Sequence, residues 1–192
     1  GDLSLRGGFI LSDTEAQARF EPVHAPDATL KLSDGKITAH AALIGPKRQV
    51  SVGSVTIAHD LAQGTGHALL DIPGIRFQTE GLQPNELTPL TYGVIADVDG
   101  LVAGTGRFDW SGDTVTSTGR FTATNVSLAA VFGQVQGLTT RLDFDDLLNM
   151  RTAPGQAASI AEINPGVPVR EGALRYRLLD AQFQTAHLSQ FG

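Results

Sequence analysis

Alternation of apolar and polar residues with a period of two runs along most of this 192-residue chain. Two clear examples are the apolar sets Ile37, Ala39, Ala41, Leu43 and Leu174, Tyr176, Leu178. In an extended strand this pattern places apolar side chains on one face and polar side chains on the other. The period of 3.6 that an amphipathic helix needs is hardly present. The sequence therefore predicts an all-β protein, a curled antiparallel sheet with more than about half of its residues in strands and at most a few short helices.

Short segments rich in Gly, Asp and Ser separate the alternating runs and predict hairpin turns. They are Ser33-Asp34-Gly35, Asp99-Gly100, Ser111-Gly112-Asp113 and Glu171-Gly172. Such residues tolerate the positive φ angles that tight hairpin turns require. A slip of one residue in the alternation beside Gly53 predicts a β-bulge there. Together these signals indicate an antiparallel meander.

Segments without alternation are few. Residues 127–132 and 145–150 could each form one or two helical turns, whereas residues 14–20 alternate and are predicted as strand. Residues 83–90 contain two prolines and predict a bend or a long loop. Because no repetitive linker divides the chain, residues 1–192 are interpreted as one unit. The chain starts at Gly1 without an initiating Met, and we interpret it as a fragment of a longer protein.

Composition excludes several classes of function. Fourteen Lys and Arg against 20 Asp and Glu give a net charge of −6, which disfavours binding to nucleic acid phosphates. The absence of cysteine excludes disulfides, thiol nucleophiles and Cys-based zinc sites. A hydrophobic content of 41% is enough to form a core. No run approaches the ~20 apolar residues of a membrane-spanning helix.

Residue patterns that support catalysis or metal binding are almost absent. None of the five His residues has metal-ligand spacing relative to another. Asp97 and Asp99 precede Gly100 as in the start of a calcium loop, but the Glu that closes such a loop is missing. Nucleophile-elbow and phosphate-loop motifs are also missing. The sequence therefore predicts no enzyme, no cofactor and no metal site.

The one-sided apolar strands impose a requirement that the sequence cannot meet with helices. A sheet with one apolar face must bury that face against something. It can close on itself as a sandwich or barrel, or it can curl into a trough that holds an apolar ligand. Periodicity alone does not choose between these arrangements.

Residues 121–179 contain four motifs that occur in a recognisable order. They are Phe-Gly-Gln-Val-Gln-Gly-Leu at 132–138, Thr-Ala-Pro-Gly-Gln at 152–156, Asn-Pro-Gly-Val-Pro at 164–168 and Glu-Gly-Ala-Leu-Arg-Tyr-Arg-Leu at 171–178. In this order they resemble the C-terminal region of the YdbH-like proteins, relatives of the AsmA and TamB group of Gram-negative envelopes. The resemblance implies a periplasmic protein anchored to the inner membrane. It also implies a repeated β-groove fold that lets phospholipids move towards the outer membrane.

The resemblance and the alternation together predict a lipid-binding trough without catalytic residues. The side chains expected to line it are Phe108, Trp110, Phe121, Leu142, Phe144, Ile160, Leu174, Tyr176, Leu178 and Phe183. Expected partners are phospholipid acyl chains and, through the full-length chain, proteins of both membranes. Edge-to-edge self-association of the fragment is a further expectation. The alternative is a closed β-sandwich interaction or adhesion module, in which these side chains form the core.

Overall fold

The computed structural model describes residues 2–45, 47–179 and 182–190, and the last of these ranges by its backbone only. Strands make up 69% of the chain, so the prediction of an all-β fold with more than half of the residues in strands is confirmed. In chain order the described strands are β1 (Leu3–Leu11), β2 (Val23–Ser33), β3 (Lys36–Ile44), β4 (Ser51–Asp60), β5 (Thr65–Phe77), β6 (Ile95–Ser111), β7 (Thr114–Ala130), β8 (Gly133–Asp146), β9 (Arg151–Thr152), β10 (Gln156–Asn164), β11 (Val169–Leu179) and β12 (Gln182–Gln190).

These strands form one antiparallel sheet in which almost every strand pairs with its neighbour in sequence. The exception is the two-residue strand β9, which pairs with β8 beside the main path while β10 takes the next place in the sheet. The sheet is open, and β1 and β12 are its two edges. The predicted antiparallel meander is therefore what the chain forms.

The predicted turns are confirmed at two places and wrong at two others. Asp34 and Gly35, with φ of 49° and 70°, connect β2 to β3, and Gly112, with φ of 56°, connects β6 to β7. The pairs Asp99-Gly100 and Glu171-Gly172 instead lie inside β6 and β11. Both segments contain a positive φ, but their neighbours continue the ladder on both sides. Near Asp99 the result is a shift of register and no reversal of the chain.

Two further predictions of secondary structure are also wrong. Residues 127–132 are not helical, because β7 continues to Ala130 between partners on β6 and β8. Residues 14–20 form bends and no strand. There the carboxylate of Asp13 accepts hydrogen bonds from the backbone N–H groups of Glu15 and Arg19, at 3.1 and 3.0 Å, and folds the chain into a loop.

Bulges are concentrated towards one end of the strands. Register shifts interrupt the pairing of β3 with β4, β5 with β6, β6 with β7, and β7 with β8, all near the end where β6 begins. One of them, beside Gly53, is the bulge predicted from the sequence. A bulge bends its strand and increases the local twist. The same end holds a core of buried side chains, which are Ala25, Ala41, Leu43, Val52, Ile75, Phe77, Leu82, Val98 and Val126.

The connection between β5 and β6, residues 78–94 and here named the strap, covers this core. It contains two short 3-10 turns, Pro84–Glu86 and Pro89–Thr91. Leu82 is one of the buried core residues, and Leu87 packs against the same core. The strap therefore acts as a lid over the bulged end of the sheet.

Hydrogen bonds attach the strap to both sides of the sheet. On the side of β6, the amide of Gln83 accepts from the N–H of Val98 at 2.9 Å and donates to its carbonyl at 2.8 Å. On the side of β2, the Thr88 hydroxyl donates to the Arg19 carbonyl at 2.6 Å, and the Glu21 N–H donates to the Leu87 carbonyl at 2.8 Å. The strap thus crosses the bulged end of the sheet, from β6 to the segment that precedes β2.

Candidate functional site

Strand register places apolar and small side chains in rows across one face of the sheet. Residues paired directly across an antiparallel ladder point to the same face. One row runs through Leu30, Ala39, Ile57, Ala68, Phe108 and Ser117 on β2 to β7. The next row runs through Leu32, Ile37, His59, Gly66, Trp110 and Val115. We name the face that carries these rows the inner face.

The opposite, outer face of the same strands is mainly polar. The row next to Phe108 contains Thr29, His40, Thr56, Leu69, Arg107 and Thr118. Ion pairs connect some outer side chains, such as Arg107 with Asp109 at 2.6 Å and Arg120 with Asp143 at 2.6 Å. Hydrogen bonds from these arginines lower the pKa of the Asp109 and Asp143 carboxyls. The sheet therefore has one polar face and one apolar face.

Burial divides the inner face into two regions. The region beneath the strap is a closed core, and we name it the capped region. The two rows from Leu30 to Ser117 and from Leu32 to Val115 form the other part, the open region. Of the twelve residues in these rows only Ser117 is buried, and Val115 is exposed. The open region is thus an apolar surface that solvent, or an apolar ligand, can reach.

Trp110 lies over a glycine at the far end of the open region from the strap. A Cβ atom at Gly66 would meet the indole Cζ2 of Trp110 at 2.5 Å, so the ring occupies the space that a side chain would fill. The indole Nε1 donates to Nδ1 of His59 at 3.0 Å. A second aromatic residue repeats the arrangement, because a Cβ at Gly104 would meet Cδ1 of Phe121 at 2.3 Å. Glycines therefore let aromatic rings lie close to the sheet.

A turn after β8 reaches the inner face between the two regions. The methyl Cδ2 of Leu147 would lie 2.9 and 3.2 Å from a Cβ at Gly106 and Gly119. The turn is anchored by Asp146, whose carboxylate accepts from the Ser117 hydroxyl at 3.0 Å and from the side chain of Asn149. These hydrogen bonds lower the pKa of Asp146, with the Asn149 side chain as the largest cause.

Nine of the ten predicted trough residues have described side chains, and register and alternation place these nine on the inner face. Phe108 and Trp110 belong to the open region. Phe121 and Leu142 are direct partners, and Phe121 packs edge-on against Phe144 with ring centroids 5.8 Å apart. The remaining four, on β10 and β11, are Ile160, Leu174, Tyr176 and Leu178.

Burial separates the nine residues further. Phe144, Ile160 and Tyr176 are buried, and the others are half-buried. The hydroxyl of Tyr176 lies 2.7 Å from the hydroxyl of Thr140, and burial raises the pKa of the tyrosine. Phe183 pairs with Leu178 through its backbone, but its side chain lies outside the described part of the structure.

The sequence analysis missed the contribution of the first four strands to the apolar surface. Leu30, Leu32, Ile37 and Ile57 lie in the same rows as Phe108 and Trp110. Each of them belongs to an alternating run, so the signal was present. What the alternation could not reveal is the register that aligns these runs with β6.

The described ranges bring together few groups that could support other chemistry. No group of three His, Asp or Glu side chains there could hold a metal ion. The carboxylate of Asp99, in the calcium-like segment, lies 3.8 Å from the guanidinium group of Arg76. The described residues contain no helix long and apolar enough to cross a membrane.

Residues 2–191 match the model of the YdbH-like family, which is described as intermembrane phospholipid transport protein YdbH. No curated protein and no solved structure matches the chain.

Proposed function

Because the chain belongs to the YdbH-like family, a family of intermembrane phospholipid transport, we propose that the open region of the inner face carries phospholipid acyl chains. In this proposal the chain is one segment of a lipid-transfer bridge in the periplasm. The full-length protein is anchored in the inner membrane, and it reaches membrane proteins at its two ends.

One observation supports the proposal most directly: the open region is apolar, accessible and continuous across six neighbouring strands. Rows of this kind in a closed sandwich are covered by a second sheet. Here the two rows are flanked by the capped region on one side and by polar turns on the other. An acyl chain could lie on such a surface while its head group remains in water.

Transfer energies explain why an apolar track would be enough. Moving one CH2 group from water into an apolar environment is favourable by ~0.8 kcal/mol. A phospholipid with about 30 such groups therefore faces a barrier on the order of 20 kcal/mol if it crosses water unprotected. A surface nearly as apolar as the bilayer removes most of this barrier. No bond is made or broken, so the function requires no catalytic residue.

The alternative, a closed interaction or adhesion module, finds support in the capped region alone. There the strap and the bulged strands bury Val52, Phe77 and Val98 in a closed core. We interpret this core as the part that gives the fold its stability, and the open region as the part that binds lipid.

Two neighbouring positions on β4 provide a matched test. Ile57 lies on the inner face in the open region, and Thr56 lies on the outer face and is exposed. The Ile57→Asp variant would place a charge where acyl chains lie, and desolvating that charge would cost several kcal/mol. We expect it to remain folded and to capture a photo-crosslinkable phospholipid about tenfold less well, whereas Thr56→Asp should capture normally.

The two measurements, melting temperature and lipid capture, separate the alternatives. An Ile57→Asp variant that unfolds would show that the open region is a closed core in the protein. A folded variant with unchanged capture would show that lipid does not use this surface.

A further inference from the structure

The turns at the two ends of the strands form two rims of different chemistry. The rim at the capped region contains the strap and the turns that join β3 to β4, β7 to β8 and β10 to β11. The opposite rim contains the turns that join β2 to β3, β4 to β5 and β6 to β7. That opposite rim carries charge at Asp34, Lys36, Asp60 and Asp113.

Part of the first rim exposes large apolar side chains at the tips of its turns. Val131, between β7 and β8, is 81% exposed, and Val167, between β10 and β11, is 73% exposed. Tyr92 in the strap is 58% exposed, and Val94 and Phe132 are exposed as well. Each of these side chains projects from a turn and is not covered by the sheet. We name residues 89–94, 131–132 and 165–168 the apolar rim.

Strand pairing shows that the parts of the apolar rim are neighbours. Ile95, which follows the strap, pairs with Ala130, which precedes Val131. The next turn is equally close, because a Cβ at Gly133 would overlap the carbonyl oxygen of Asn164 at 1.9 Å. The three segments therefore form one border along β6, β7, β8, β10 and β11.

This border carries no charge. Residues 87–96, 129–140 and 163–169 contain no Asp, Glu, Lys or Arg. The charged residues that flank these ranges in sequence are Glu86, Asp97, Arg141 and the pair of Glu162 with Arg170, whose side chains lie 3.1 Å apart on β10 and β11. On the same rim, the loops beside β1 to β4 do carry charges, among them Lys47 and Arg48. The uncharged border is therefore a local feature of this part of the rim.

We propose that the apolar rim inserts into the interfacial layer of a phospholipid bilayer. Aromatic side chains such as Tyr92 and Phe132 are favourable at the boundary between head groups and acyl chains. A protein partner usually buries a continuous surface with paired polar groups at its margin. Isolated side chains at turn tips, without charges, fit a fluid apolar layer better. The inference goes beyond the transport proposal, because it does not require the open region to carry lipid.

Two consequences distinguish this mode of binding from electrostatic adsorption. The three segments of the apolar rim contain no cation to attract anionic head groups, and the chain as a whole carries a charge of −6. Binding should therefore occur on vesicles of phosphatidylcholine alone and should change little with salt. Anionic lipid should not be required.

The absence of native cysteine permits a direct test with single labels. An environment-sensitive fluorophore attached in V131C should move to an apolar environment when vesicles are added, with a blue shift and a several-fold increase in intensity. The matched control is L61C, because Leu61 is also an exposed apolar residue at a turn but lies on the opposite rim. Its label should not respond.

A flotation assay with phosphatidylcholine vesicles tests the same rim without labels. The double variant V131D/F132D should bind vesicles at least about tenfold less than the parent chain, because each carboxylate resists entry into the interface. Circular dichroism should confirm that it stays folded, since both side chains are exposed. Equal responses of the two labels, loss of binding at high salt, or self-association without vesicle binding would each overturn the proposal. Self-association alone would indicate a second copy of the chain as the partner.

Discussion

Gly66 and Trp110 form a pair in which one residue is small because the other is large. The indole ring occupies the position of the missing side chain, and the carbonyl oxygen of Ala58 would lie 2.5 Å from a Cβ at the same glycine. The Gly66→Ala variant should therefore displace the ring and lower the free energy of unfolding by about 1–3 kcal/mol. Thermal unfolding measures the loss of stability. Tryptophan fluorescence reports the displacement of the ring, because Trp110 is the only tryptophan in the chain.

The matched control for this prediction is Gly7→Ala on β1, where a Cβ would meet no atom within 4 Å. It should leave the melting temperature nearly unchanged. If both variants were equally stable, the ring would not depend on the glycine for its position.

Asp13 predicts a pH dependence in the loop that contacts the strap. Its carboxylate accepts a hydrogen bond from Nε of Arg19 at 2.9 Å, and this bond with two backbone N–H groups lowers its pKa from 3.8 to about 2. A lowered folded pKa means that the stabilisation is present above pH 3.8 and is lost as the pH falls towards 2. The Asp13→Asn variant should therefore be less stable at neutral pH, and the difference should shrink in urea titrations as the pH falls through this range. In an Arg19→Gln background the effect of Asp13→Asn should be smaller at neutral pH.

Residues with positive φ show what sequence alone could predict at this scale. Asp34 and Gly100 both belong to motifs that tolerate positive φ, and both adopt it. Only Asp34 lies in a turn, because Gly100 pairs with Phe77 inside a long ladder. The residue types indicate the local conformation. Whether that conformation reverses the chain or interrupts a ladder depends on the neighbouring strands.

At the scale of elements, the strap is the feature that periodicity could not reveal. Alternation assigns the faces of strands, and the prolines of residues 83–90 predicted only a bend or a long loop there. It says nothing about an irregular segment, whose side chains follow no repeating direction. The role of Leu82 in the core depends on hydrogen bonds that join the strap to distant parts of the chain, such as those of Thr88 with Arg19.

The strap also supports a prediction of stability. Leu82 is buried in the capped region, so Leu82→Ala should lower the free energy of unfolding by about 2–5 kcal/mol. Leu90 lies in the same strap but is exposed, and Leu90→Ala should change it by less than about 0.5 kcal/mol. Urea unfolding of the two variants measures the contrast. If both variants lowered the free energy of unfolding by similarly small amounts, the side chain of Leu82 would not contribute to the core.

At the scale of the whole molecule, an open sheet leaves the apolar side of an edge strand uncovered. Leu3 and Leu5 on β1 lie opposite Leu32 and Leu30, and thus extend the rows of the open region, but both are exposed. The sequence predicted the strands and their apolar side, but not the position of the edges. Which strands pair, and in what register, depends on contacts between distant segments, which no local pattern encodes.

An exposed apolar edge strand is a template for another strand, because its unpaired N–H and C=O groups can extend the sheet. We therefore expect the chain to self-associate as its concentration rises, with β1 in the contact. The variant Leu5→Lys places a charge on the inner side of this edge, where burial against a second strand would be costly, and should shift association to higher concentration by about tenfold or more. Leu69→Lys is the control, since Leu69 is also exposed but lies on the outer face of the interior strand β5. Sedimentation velocity over a concentration series measures both variants. A monomer at every concentration, or equal effects of the two lysines, would show that the edge at β1 is protected in solution.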